Sequence, residues 1–258
     1  MRLNKPPLIE AWMSFRFDPG IAQPAWNRHR FKLLLDDLAS THPDIQEMKR
    51  QAVELTASKR NGVPKVRKII EDILAMRALS EDGLRAVQMR SNELVVNYIR
   101  GGNDYPGFDA LLEEAMEVSH RYQELYRPLG VVEVALHYID VVFLPKNDEG
   151  NVDTEEYLTV DFRIPPNFGN FSAFDIRTVV RPLPEKLPVH MYVASEAGLD
   201  DDPEQKIRIE WHTSKVSTSV MGEEEVRANL NAAHDRLAKC FQSIFTAKGW
   251  ALLEPESL

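Results

Sequence analysis

Apolar and polar residues alternate at the start of the chain. Ile9, Ala11, Met13, Phe15 and Phe17 alternate with Glu10, Trp12, Ser14 and Arg16, and this period of two predicts a strand over residues 8–17. Asp18-Pro19-Gly20 then supplies turn chemistry. The longest strand-like run is VVEVALHYIDVVFL, Val131 to Leu144. Shorter runs predict strands over 84–90 and 93–100, joined by Ser91-Asn92, and over 157–164, 174–183, 187–194 and 207–216.

Twice the period lengthens to that of a helix. Phe108, Leu111, Leu112, Ala115, Val118 and Tyr122 form one stripe and predict a helix over 107–127. Val226, Leu230, Ala233, Leu237, Cys240 and Ile244 form a narrower seam and predict a helix over 223–248. Residues 28–77 also read as helical, in three pieces. The first runs around Arg30 to Leu38. The second begins at Pro43, with Ile45, Met48, Ala52 and Leu55 at steps of three and four. Asn61-Gly62 breaks the pattern, and a third piece follows Pro64 to about Ala75.

Extended segments therefore precede each long helix. The predicted fold is α+β: antiparallel sheets with two long helices packed on one face, as two related strand–helix units plus an inserted helical layer. The expectation is one compact domain over 1–258, with sub-units 1–129 (including the helical insertion 28–77) and 130–258.

Composition narrows the function classes. The chain has 258 residues, 28% of them charged, with a net charge of −9, which argues against wholesale nucleic-acid binding. The single cysteine, Cys240, excludes an intrachain disulfide and suits a reducing compartment. No apolar run is long enough to span a bilayer, and MRLNKPPLIEAW has no continuous apolar stretch of the signal-peptide kind. The expected location is the cytoplasm, with no membrane partner.

Four stretches carry a resemblance: PPLIEAWMSFRFDP, SEDGLRAVQMRSNELVVNYI, YPGFDALLEEA and AAHDRLAKCFQSIFT. Together they resemble an uncharacterised, sporadically distributed bacterial protein family of about this length, from Pro6 to about Thr246. Gln88, Asn97, Tyr105, Pro106, His234, Phe241 and Thr246 are the matching fixed positions. The stretch ALHYIDVVFLP is similar to a family strand that carries arginine and asparagine where this chain has His137 and Asp140. The resemblance implies no activity, cofactor or catalytic residue. The family's patchy distribution implies mobile or defence-associated genes.

Candidate chemistry is sparse. Cys240 lies on the helix seam, a place for a buried structural thiol rather than a nucleophile. No serine stands in a G-x-S-x-G context, and Gly101-Gly102 lacks the residues of a phosphate-binding loop. Seven histidines, at 29, 42, 120, 137, 190, 212 and 234, form no H-x-x-x-H or H-E-x-x-H pattern. Glu210 and His212 share a strand face, and His137 joins them only if the strands pair suitably. Isolated polar side chains on a solvated face explain them more simply, so no metal and no cofactor are expected. His234 and Asp235 are adjacent on a helix and cannot form a dyad; His234 more naturally donates a hydrogen bond to the sheet or a loop. His137, His212, His234 and Glu210 remain the weak catalytic candidates, because ionisable groups at such boundaries can be tuned.

Charge is distributed unevenly. Lys49, Arg50, Lys59, Arg60, Lys65, Arg67 and Lys68 face a single acid, Glu54, between positions 49 and 68. No aromatic is interleaved, so base stacking is not expected and nucleic acid ranks below protein or another phosphate-bearing partner. The acids of 200–204 and Glu223, Glu224 and Glu225 read as a solvated loop and a favourable helix start. With no nucleophile, base and orienter to assemble, the favoured reading is a non-catalytic binding or interaction protein. The alternative is an enzyme whose site gathers dispersed histidines and carboxylates. A homo-oligomer is compatible with either.

Overall fold

The computed structural model describes residues 7–20, 28–57, 64–90, 92–99, 105–160, 175–180, 187–195 and 202–253, with side chains at 28–30, 49–57, 64–74 and 180 left aside. The fold is α+β, with one open nine-stranded antiparallel sheet and five helices among these residues. The elements are β1 (Leu8–Asp18), α1 (Arg28–Leu38), β2 (Asp44–Ala57), β3 (Pro64–Leu79), β4 (Arg85–Met89), β5 (Glu93–Ile99) and α2 (Phe108–Tyr126). They continue with β6 (Gly130–Pro145), α3 (Thr154–Tyr157), β7 (Asp175–Val180), β8 (Val189–Ser195), β9 (Glu204–Met221), α4 (Glu223–Ile244) and α5 (Ala247–Leu252).

Strand order is β2-β3-β4-β5-β1-β6-β9-β8-β7. The sheet is thus continuous across residue 130, through antiparallel pairing of β1 with β6. Period two fixes which side chains enter the core. Met13 lies opposite Val96 on one side and Leu136 on the other; Phe15 lies opposite Leu94 and Val134. All six are buried. Helix α2 packs on β5 and β1, with Phe17 stacked on Tyr122 at 4.4 Å. Helix α4 packs on β6 and β9 and buries Val226, Leu230, Ala233 and Leu237. None of the described helices is long and apolar enough to cross a membrane.

The inserted helical layer is not what forms over 28–77. Only its first piece is helical, as α1; the second and third are the strands β2 and β3, antiparallel from Asp44 opposite Leu79 to Ala57 opposite Pro64. The apolar stripe in 44–57 has only four members, which is weak evidence for a helix. The β-branched Val53, Thr56, Val66, Ile69, Ile70 and Ile73 suit strands, and mutual pairing satisfies both backbones. Asn61-Gly62 falls between the two runs, a sequence that favours hairpins over helix breaks; it lies outside the described residues. Strand β3 pairs with β4 only over Met76–Leu79. Among the described residues, the β2–β3 ribbon therefore runs on past β4 through residues 64–75, roughly 40 Å at about 3.3 Å per residue.

Two smaller corrections concern the second half. The strand expected from Tyr157 is instead the end of helix α3, followed by a bridge between Leu158 and Phe245; residues 161–164 lie outside the described set. The last helix stops at Ile244, because Phe245 is extended to make that bridge. The chain turns again at Thr246, whose hydroxyl accepts from Gly249 N at 3.1 Å and caps α5.

Candidate functional site

Strand register assembles a row of polar and aromatic side chains that the sequence scatters over more than a hundred positions. Asn97 lies opposite Trp12, Trp12 opposite His137, His137 opposite His212, and His212 opposite His190. The row crosses β5, β1, β6, β9 and β8 at positions alternate to the Met13–Leu136 set. The Trp12 indole stacks on the His137 ring, with centroids 3.6 Å apart and planes 25° apart. The His212 ring lies 5.7 Å from His137 and 5.5 Å from His190. Glu210, two residues from His212 on β9, puts Oε2 at 3.4 Å from His137 Nε2. The Arg208 Nε stands 2.8 Å from the other Glu210 oxygen. At the far end, Asn97 Nδ2 donates to Glu10 Oε1 at 2.5 Å.

The three residues whose meeting depended on strand pairing, His137, His212 and Glu210, are thus brought together. Burial pushes the His137 pKa down to about 3, helped by the positive charge available to His212 and Arg208. Burial outweighs the nearby Glu210 carboxylate, whose charge is engaged by Arg208. His212 is also lowered, by burial first and then by His190. Both rings are neutral near pH 7. The His137 Nε2 is buried without a hydrogen bond, so the ring contributes stacking and a neutral edge. A base held so far below neutrality has little driving force for proton abstraction. Among the described residues, no three His, Cys, Asp or Glu side chains stand at metal-binding spacing.

His234 belongs to a different place. Its Nδ1 is 2.9 Å from the Tyr138 hydroxyl, and its ring stacks on Phe108 at 4.1 Å. Burial lowers its pKa, opposed by Asp235 and Asp109. The side chain ties α4 to β6 and to the start of α2, a tethering role with no open proton-transfer partner shown. Cys240 is half-buried on α4, and burial pushes its thiol up, away from the reactive thiolate.

A second cluster has no counterpart in the sequence reading. His42, 1% exposed, ends the turn after α1 and bonds Thr41 Oγ1 through Nδ1 at 2.9 Å. Its Nε2 is 3.7 Å from Glu114 Oε1, and Arg85 Nη1 is 3.8 Å from the same oxygen. The Tyr98 hydroxyl donates to the other Glu114 oxygen. His42, Arg85 and Glu114 border a cleft of about 350 Å³ between α1 and α2. Burial lowers the His42 pKa, against the pull of Glu114, and raises that of Tyr98 to about 12, with Glu114 adding to the rise. No motif signalled this cluster. Its members lie on α1's turn, β4, β5 and α2, and only packing joins them.

The basic residues fall on the ribbon rather than on a helix. Lys49 and Arg50 lie in β2; Lys65, Arg67 and Lys68 lie in β3, where Lys68 is opposite Glu54 and Lys65 opposite Thr56. Lys59 and Arg60 lie outside the described residues, as do Asp200 and Asp201. No protein-family model matches the chain, and no curated protein matches it in sequence.

Proposed function

We propose that the chain is a non-catalytic binding protein that presents the β2–β3 ribbon to an acidic or phosphate-bearing partner. One observation carries this reading. Seven basic residues and one acid occupy positions 49–68 of a chain with net charge −9, and Lys49, Arg50, Lys65, Arg67 and Lys68 lie on a ribbon that extends past β4. A local reversal of sign on an extended element steers an oppositely charged partner and is screened by salt. The cytoplasmic, bacterial and defence-linked setting follows from the composition and the family resemblance, as an expectation. The architecture supports two related strand–helix units, each with its long helix on the same sheet face. In each, the first strand (β1 or β6) is central, the last strand (β5 or β9) lies beside it, and the long helix follows.

The test is binding of fluorescent inorganic polyphosphate and of a poly-glutamate peptide across a salt series. Wild type is compared with the Lys49→Gln, Arg50→Gln, Lys59→Gln, Arg60→Gln combination. The variant should bind more weakly with a flatter salt dependence, while its thermal melt stays close to wild type. Equal binding at every salt concentration removes the reading.

A second reading, an enzyme, is favoured by the meeting of His137, His212 and Glu210. The depressed His137 pKa weighs against it, as does the absence of an activated nucleophile among the described residues. A turnover lost in both His137→Ala and Glu210→Gln, with the fold intact, would reverse this ranking.

A further inference from the structure

We infer that the cleft between α1 and α2 binds a free α-amino acid with a small apolar side chain, its carboxylate held by Arg85 and His42 and its ammonium group by Glu114. The inference goes beyond the acidic-partner reading and does not depend on it.

The His42 side chain is 1% exposed, and its Nε2 is buried without a hydrogen bond. Buried polar groups are normally paired, so an orphan beside a cleft points to a bound partner. The other ring nitrogen, Nδ1, lies 2.9 Å from the Thr41 hydroxyl. The Leu38 carbonyl already accepts from the backbone N–H groups of Thr41 and His42. The Thr41 hydroxyl hydrogen therefore goes to Nδ1, and Nε2 carries the ring hydrogen as a donor. The Glu114 carboxylate, with Oε1 at 3.7 Å from Nε2, favours the same tautomer. Arg85 supplies further donors, with Nη1 at 3.8 Å from the same Oε1 and a side chain 37% exposed. Both gaps are too long for direct hydrogen bonds. Among the described residues, Glu114 Oε1 accepts no hydrogen bond, whereas the other oxygen accepts from the Tyr98 hydroxyl.

Two donor groups and one acceptor thus face one another across gaps that neighbouring groups of one small molecule can span. A simple anion would be attracted by Arg85 and repelled by Glu114. A simple cation would meet the reverse. A zwitterion satisfies both, and an α-amino acid carries its two charges on one carbon, as this close spacing requires. The other charges of the cleft are matched within the protein. Arg121 holds Asp37 at 2.5 Å and Glu117 at 3.0 Å, and Arg227 holds Glu113 at 2.6 Å and 3.1 Å. Leu38 and Val118 line the same cleft, which suits a small apolar side chain. Its volume of about 350 Å³ lies at the lower end of small-molecule sites.

The experiment is isothermal titration calorimetry of the full chain with L-alanine and L-valine at up to about 10 mM, where even a millimolar complex forms. At least one of the two should bind. N-acetyl-L-alanine, without the ammonium charge, and L-alaninamide, without the carboxylate, should each bind about tenfold more weakly than L-alanine, or worse. Arg85→Gln and Glu114→Gln should each weaken binding by a similar factor while their thermal melts stay close to wild type; glutamine at 114 keeps an acceptor for Tyr98. The ring-nitrogen NMR signals of wild-type His42 should move on adding the amino acid, a readout that needs no variant. No heat and no His42 shift with either amino acid overturns the inference. So does a blocked form that binds as tightly as the free amino acid, or unchanged binding in a folded Arg85→Gln or Glu114→Gln protein.

Discussion

The indole nitrogen of Trp211 on β9 donates a 3.0 Å hydrogen bond to Oδ2 of Asp140 on β6, a carboxyl only 4% exposed. Burial raises the Asp140 pKa from 3.8 to about 7, and the Trp211 bond offsets part of that rise. A raised carboxyl pKa means that the folded state holds the proton more tightly than the unfolded chain. The stabilising contribution is complete below about pH 4 and is lost as pH rises to about 7. Asp140→Asn keeps an acceptor for Trp211 and removes the titration. We expect the variant to be more stable than wild type at pH 8, by up to about 4 kcal/mol for a shift of this size. The advantage should be absent at pH 4. Urea melts at pH 4, 6 and 8 provide the check, and a variant no more stable at pH 8 contradicts the assignment.

Each long helix should depend on its apolar stripe. Leu111 of α2 and Leu237 of α4 are essentially inaccessible. Leu111→Asp or Leu237→Asp places a charge among apolar side chains and should cost several kcal/mol, on the order of 4. Circular-dichroism melts should show either variant unfolded or melting far below wild type; a wild-type melting temperature would mean that the helix is wrongly seated.

Gly249 should tolerate no side chain. A Cβ there would stand 2.1 Å from the Tyr157 carbonyl oxygen, which is backbone and cannot rotate away. Gly249→Ala should separate α5 from the end of α3 and lower stability by roughly 1–3 kcal/mol. Limited proteolysis should then cut the C-terminal segment first. Unchanged cleavage and stability would show that the close approach does not persist in solution.

His137 should not titrate near neutrality. With its pKa pushed down to about 3 by burial, its ring signals in proton–nitrogen NMR should stay at neutral-imidazole positions from pH 8 to pH 5. Movement of the His137 signals with a midpoint near 6 would return it to the list of proton-transfer candidates.

Period decides what was legible in the sequence. Strand β1 and the long β6 were readable because one face of each is buried, which imposes a period of two. Helices α2 and α4 were readable because their buried stripes keep a step of three or four. Strands β2 and β3 were not readable, because their residues do not alternate strictly between apolar and polar along the sequence. In 44–57, Ile45, Met48, Ala52 and Leu55 then mimic a helical stripe by chance, and pairing with β3 settles the matter. The stop of α4 at Ile244 also depended on a partner remote in sequence, Leu158.

The sequence by itself determined the α+β class, the two buried helix stripes, the lone cysteine on a seam, and the reversal of charge between Lys49 and Lys68. All of these are local in the chain, and local periodicity or composition encodes them. Only the tertiary structure decided which polar groups meet. His137 and His212 become neighbours because β6 pairs with β9 in one register, and a slip of one residue would turn them to opposite faces. His42, Arg85, Tyr98 and Glu114 meet because α1 packs on α2, and α2 packs on β5 where it pairs with β4. Contacts of that kind arise from strand order and helix seating, free energies summed over the whole core, and no short window of sequence contains them.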